Sequence, residues 1–191
     1  MIKQIKTDLE LLLKFKPNRL QHIYGVKDTA ISLGKKYNLD LKKLELASLL
    51  HDITKYYSYE YNVEVIKKNY KNHEEILSEF NKATLHAFSA AVVAKEKYNI
   101  DDEDVINAII SHTVGKPKMN LYEQILFISD YIEPTRKYDS CIKVRKIAEY
   151  SLDKATYEAI NDSIILYEGM NQMIPKTAYQ ARIYYKDLTE E

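Results

Sequence analysis

His51 and Asp52 stand side by side in the stretch ASLLHDITK, after two leucines and shortly before Lys55. Helical spacing puts His51 at the edge of an apolar stripe containing Leu44 and Ala47, with Asp52 about 100° further round. An ionised carboxylate beside leucines needs a compensating charge or strong hydrogen bonds. A metal ion supplies that charge, and adjacent ligands on one helix can both lean toward it. A satisfied, partly buried pair or a solvated helix face explains the dipeptide equally well, so other residues must converge on it. His22 has Gly25 beside it, which leaves room. His86 opens an alanine-rich segment, and His112 closes a face shared with Val105 and Ile109. Asp130 lies among apolar neighbours in EQILFISDYIEPTR, near a predicted helix C-terminus, where a carboxylate is unfavourable without a nearby cation. Taken singly, each is more simply a core or surface residue. His73, in KNHEEIL, has acidic neighbours and no apolar face; it reads as solvated and serves as an internal control.

The elements that must position these residues are helices. Apolar spacing is helical nearly everywhere, and four glycines and four prolines are too few for a loop-rich β sandwich. Ile2, Ile5, Leu9, Leu12 and Leu13 predict a first helix stopped by Pro17, and a second runs from about Asn18 to Tyr37. Asp40 caps a third that buries Leu44, Ala47, Leu50 and Ile53. Ser58 caps a short helix ending near Tyr70, and another short one fits Glu74–Phe80. Thr84 starts a helix through Tyr98, and Asp101 precedes the next. NLYE, from Asn120 to Glu123, approximates a capping box for a helix ending before Pro134. Two or three more helices fill Ser140–Leu188, broken near Gly169 and Pro175. No repeat, low-complexity segment or linker interrupts the chain, so the reading is an all-α bundle in a single domain, residues 1–191.

Composition narrows the function classes. The chain has 28 basic and 28 acidic residues among 191, without the basic excess that supplies most of a nucleic-acid binder's affinity. Small phosphorylated ligands are therefore expected rather than long nucleic acids. Cys141 is the single cysteine, which rules out an intramolecular disulfide and a cysteine-based zinc cluster. Asp8 and Glu10 interrupt the N-terminal apolar segment where a secretory signal would be continuous, and no stretch is long and apolar enough to span a bilayer. A cytoplasmic protein without membrane contact is the expectation.

The order His22, His51–Asp52, His86, His112, Asp130 resembles the HD-domain superfamily of metal-dependent phosphohydrolases. Within it the chain is similar to the YqeK family, the symmetrical bis(5'-nucleosyl)-tetraphosphatases. The matching segments are RLQHIYGVKDTA, ASLLHDITK, LHAFSAAVVA, AIISHTVGKPKMNLYEQILFISDYIEPTR and KVRKIAEYSLDKA, from Arg19 to about Ala155. LLHDITK marks only the superfamily, whereas SHTVGKPKM and SDYIEPTR are far more specific. Ser129 stands where alanine is expected, a neutral difference. The resemblance implies an α-helical HD-domain bundle with His22, His51, Asp52 and Asp130 on one metal. It puts His86 and His112 at a second metal or facing the phosphate, with Asp52 able to bridge. Nitrogen and oxygen donors without thiolate suit iron, manganese, cobalt or nickel better than a structural zinc; the resemblance favours iron, as one or two ions.

The implied reaction is attack by metal-bound hydroxide on an inner phosphorus of diadenosine tetraphosphate or a related dinucleoside polyphosphate, displacing ADP so that both products are ADP. Asp52, Lys55 and Asp130 are the catalytic candidates, Asp52 positioning metal and hydroxide rather than acting as a free base. Lys55, four residues after His51 and so on the same helix face, reaches a phosphate. Arg136 can clamp one bidentately, and Arg19 can do likewise. Thr113 can donate a hydroxyl. With these, His22, His86, His112 and Asp130 face the substrate. Residues 167–175, YEGMNQMIP, can form the nucleoside pocket through Met170 and Ile174, although an ordinary connection reads equally well. None of the 17 tyrosines stands out as the base-stacking one, and exposed tyrosines leave a homodimer open beside a monomer. Other readings are a deoxynucleotide or guanosine-alarmone phosphohydrolase on the same ligands, metal-dependent oxygen chemistry, and a non-catalytic nucleotide-binding sensor.

Overall fold

Pro17 begins the second helix, five residues after the first has ended. In the computed structural model, which describes residues 1–190, α1 (Ile2–Leu12) stops before it and α2 (Pro17–Lys36) starts on it. A proline at the first helical position loses nothing, because that N–H has no intrahelical acceptor. Local capping then sets the boundaries. The Asp40 carboxylate accepts from Lys42 N at 2.9 Å to open α3 (Leu41–Leu50), and the Ser58 hydroxyl accepts from Tyr61 N to open α4 (Tyr59–Asn69). A short α5 (His73–Glu79) follows. Thr84 lies in a turn organised by Asn81, so α6 begins two residues later, at His86, and ends at Tyr98. Asp102 rather than Asp101 is the cap of α7 (Glu103–Ser111), accepting from Asp104 N and Val105 N. The capping box is complete at α8 (Leu121–Ile132): Asn120 accepts from Glu123 N at 3.0 Å, and Glu123 accepts from Asn120 N at 2.8 Å. Three helices complete the chain: α9 (Asp139–Ile147), α10 (Leu152–Gly169) and α11 (Lys176–Glu190). The described residues contain no strand, and the all-α single-domain bundle is the observed fold.

One boundary alters the sequence reading. His51 and Asp52 do not lie within a helix, because α3 ends at Leu50 and residues 51–56 continue as consecutive turns. The His51 ring explains the ending. Its Nδ1 lies 2.6 Å from Ser48 O, the acceptor that a continuing helix would offer to Asp52 N. His112 repeats the device at the end of α7, with Nδ1 2.6 Å from Ile109 O.

Beside a smaller third cluster of Ile66, Ile76, Leu85 and Phe88, two large apolar clusters form most of the core. One joins α1, α2, α3, α6 and α7 through Ile5, Leu9, Ile23, Leu50, Ala91 and Ile109. The other joins α8 to α9, α10 and α11 through Ile128, Val144, Ile160 and Tyr185, with Ala30, Leu33 and Leu44 reaching in from α2 and α3. Alanines on α6 let that helix approach closely, with Ala87, Ala90, Ala91 and Ala94 all buried. The polar side chains singled out in the sequence lie where α2, α8 and the helix ends of α3, α6 and α7 meet.

Candidate metal centre

Asp52 sits at the middle of this junction, 3% exposed. Its Oδ1 is 2.9 Å from His86 Nε2, 3.6 Å from His112 Nε2 and 3.5 Å from Lys55 Nζ. Its Oδ2 is 3.2 Å from His51 Nε2 and 3.9 Å from His22 Nε2, and also contacts the Arg19 guanidinium. The imidazoles crowd one another as well, with ring centroids 4.9 Å apart for His51 and His112 and 5.1 Å for His86 and His112. Asp130, on the last turn of α8, places Oδ1 3.0 Å from His22 Nε2. All six sequence candidates therefore converge. His73 lies outside the cluster on α5; it is half-buried rather than solvated, with Nδ1 3.1 Å from Tyr70 O.

Two sets of three side chains bring ligand atoms close enough to share an ion: His22, His51 and Asp130, and His51, Asp52 and His112. His51 belongs to both, and His86 stands beside the second. The donor chemistry fits a cation. His22 Nε2, His51 Nε2 and both Asp52 oxygens are buried without a hydrogen-bond partner, an arrangement that costs free energy unless a further group satisfies them. The tautomers agree. At His51 and His112 the backbone carbonyl on Nδ1 requires a proton there, which leaves the Nε2 lone pair for the site. Burial keeps these rings in the neutral, metal-ligating form, holding His51 and His86 well below the ordinary histidine value and His112 at about 4. At Asp130 burial works upward, but the His22 contact and the neighbouring His51 and His112 rings together outweigh it, and the carboxyl is held well below its ordinary value.

Cations edge the cluster. Burial, then the neighbouring Arg19 guanidinium, push the Lys55 ammonium down to about 8. Lys55 reaches Asp52 across a turn rather than along the helix face inferred from its spacing, since α3 has already ended. Arg136 points a nitrogen at Asp130 Oδ1, 3.4 Å away. Beside them opens a cleft of about 690 Å³ lined by Thr113, Tyr131, Arg136, Asp162 and Met170, among others, with His112 and Asp130 at its inner end. That volume is in the range of small-molecule sites. The Thr113 hydroxyl is buried there without a partner. Ile174 is not on this cleft: it packs against the second core cluster and lines a much smaller apolar cavity behind Thr113. The 167–175 segment thus contributes Tyr167 and Met170 to the open cleft and Ile174 to the wall behind it.

One buried acid escaped the sequence reading, which ended a helix before Pro134 and gave Glu133 no role. Its side chain is fully buried, and Oε1 lies 3.0 Å from His22 Nδ1. The room that Gly25 leaves is filled by this carboxylate: a Cβ at Gly25 would come within 2.7 Å of Glu133 Oε2.

The HD domain family model matches residues 19–135. A Halalkalibacterium halodurans protein named symmetrical bis(5'-nucleosyl)-tetraphosphatase is 37% identical over 157 residues, 82% of this chain and 83% of that protein. A Bacillus subtilis protein of the same name is 32% identical over the same shares. The crystal structure of a "predicted HD superfamily hydrolase involved in NAD metabolism" from Clostridium acetobutylicum matches with a TM-score of 0.90 at 34% identity, covering 98% of each chain.

Proposed function

From the premise that this chain belongs to the HD-domain family, we propose that it hydrolyses diadenosine tetraphosphate and related dinucleoside polyphosphates symmetrically, to two ADP, at a divalent-metal centre. The observation that carries this reading is Asp52, a buried carboxylate whose two oxygens face four imidazole nitrogens while Lys55 and Arg19 stand over them. Its relatives named for this activity supply the substrate, and the phosphate-sized cationic rim beside a nucleotide-sized cleft supports it.

His22, His51, Asp52, Asp130 and His112 would hold the metal, with Asp52 and His51 placed to serve two ions and His86 completing the second side. Imidazole and carboxylate donors without thiolate suit iron, manganese, cobalt or nickel, and the resemblance to HD-domain phosphohydrolases makes iron the choice among them. A bound metal supplies Lewis acidity toward phosphate oxygens and a nucleophilic water at neutral pH. The chain's own residues align the substrate. Lys55 and Arg136 neutralise and orient the tetraphosphate, Arg19 steadies Asp52, and Thr113 donates its free hydroxyl to a phosphate oxygen. The cleft beside Asp130 and Met170 takes one nucleoside, which brings an inner phosphorus to the cluster. Water adds to that phosphorus, the bond to the central bridging oxygen breaks, and ADP departs as the other ADP forms. The whole chain acts as one domain, and exposed tyrosines such as Tyr138 and Tyr150 leave a homodimer open.

Incubation of the metal-loaded protein with diadenosine tetraphosphate is expected to give ADP as sole product. A mixture of ATP and AMP would overturn symmetrical cleavage. Faster turnover of a deoxynucleoside triphosphate or a guanosine alarmone, run in parallel, would move the assignment to another HD-domain phosphohydrolase. Tight binding without turnover would make the protein a sensor.

A further inference from the structure

The imidazoles of the cluster are not oriented alike. His51 and His112 each rest Nδ1 on a neutral backbone carbonyl of their own helix. His22 instead rests Nδ1 on the carboxylate of Glu133, 111 positions away in the sequence. That carboxylate is tightly held. The Thr135 backbone N–H donates to its Oε2 at 2.7 Å, and the Thr135 hydroxyl donates to Oε1. Arg145 donates to the backbone oxygens of Ile132, Glu133 and Arg136 at 2.6 to 3.1 Å, which fixes the loop that carries it. From the opposite side, α2 accommodates the carboxylate only because position 25 has no side chain.

We infer that Glu133 is a positioning residue for the metal centre: it fixes His22 as the Nδ1–H tautomer, aims Nε2 at Asp130 and Asp52, and makes His22 the most electron-rich imidazole of the cluster. A carboxylate on the far nitrogen does more than a carbonyl, because its charge stabilises the positive charge that a ligating ring acquires. The effect is local. It strengthens the side of the cluster formed by His22, His51 and Asp130 and leaves the His86 and His112 side unchanged. The role rests on the metal-centre reading above, and the test separates the two.

The Glu133→Gln protein keeps the side chain's size but loses its charge, and its amide NH₂ meets a donor either way: the Thr135 N–H in place of Oε2, or His22 and the Thr135 hydroxyl in place of Oε1. Manganese affinity, measured by competition with a chelator, is expected to fall about 10- to 100-fold. In the metal-free protein at about pH 8, above the ordinary histidine range, imidazole nitrogen NMR should show His22 losing its uniform Nδ1–H form while His51 and His112 keep theirs. A merely structural Glu133 would leave that tautomer signal in place. Gly25→Ala, which displaces the same carboxylate from outside, should shift both readouts in the same direction and serves if Glu133→Gln fails to fold. Unchanged manganese affinity and an unchanged His22 tautomer in these variants would overturn this inference alone. A wild-type protein that binds no metal would overturn the centre itself.

Discussion

Asp52 is the residue on which most of the cluster's geometry depends, because its oxygens divide the work: Oδ1 faces His86 and His112, and Oδ2 faces His51 and His22. Asp52→Asn preserves the shape and removes the charge. It should therefore lower metal content by more than the roughly 100-fold that changes behind a ligand produce, and hydrolysis should fall with it, as elemental analysis and product assay would show. His73→Ala should retain both metal and activity, since His73 touches nothing in the cluster. Lys55 tests a different step. Its ammonium stands 3.5 Å from Asp52 yet is no ligand. Losing one charge-assisted contact to a phosphate corresponds to about 10- to 100-fold in kcat/KM. Lys55→Ala should show that loss in steady-state kinetics at unchanged metal content, and a parallel loss of metal would mean that Lys55 holds the site together instead.

Among the helices, α1 is the most peripheral, and its attachment has a pH dependence that can be worked out. Ile5 and Leu9 bury fully against the first core cluster, while Asp8 accepts from Lys97 at 2.6 Å and from the Tyr98 hydroxyl at 2.8 Å on α6. Those two contacts, Lys97 first, hold the Asp8 carboxyl below its ordinary value. A depressed carboxylate stabilises the fold above the unfolded value and loses that contribution as pH falls through the folded one. Asp8→Asn should therefore melt slightly earlier near neutrality and lose less between about pH 6 and pH 3 than the wild type does, measured by thermal denaturation. How far such elements can be read from sequence depends on the range of the forces that make them. The Asp40, Ser58 and Asn120 caps are legible because each bonds within three residues of itself. The end of α3 is not, since a histidine ring competing for its own helix's carbonyl leaves the apolar periodicity intact through Ile53. Glu133 is invisible for another reason: Pro134 explains its position as a helix stop, and nothing local ties it to Gly25 or His22. Ile174 fell within a correctly expected break, but which side of that break faces the cleft is decided by packing against α10 and α11.

At the scale of the whole molecule, the cluster lies across the seam between the two apolar cores. His22 and His86 lie on helices of the first core, His51 and His112 lie just past the ends of two others, and Asp130 projects from α8, whose Ile125, Ile128 and Ile132 bury in the second. An ion shared by His22, His51 and Asp130 would tie the two large clusters together, and it would bind the folded chain alone, because the unfolded chain scatters those three ligands along the sequence. Free metal at about 100 times its dissociation constant then adds about 2.7 kcal/mol to stability. For a domain of this size that corresponds to about 5–10 °C in Tm. Chelator-stripped protein should melt lower by that amount and recover on re-addition of metal. Asp52→Asn protein should show a weaker response to both treatments, since its site then keeps only the Asp130 carboxylate to offset the cation's desolvation. A wild-type Tm indifferent to metal, in protein shown by elemental analysis to have lost and regained it, would mean that the two cores hold their relation through α2 and α3 packing alone.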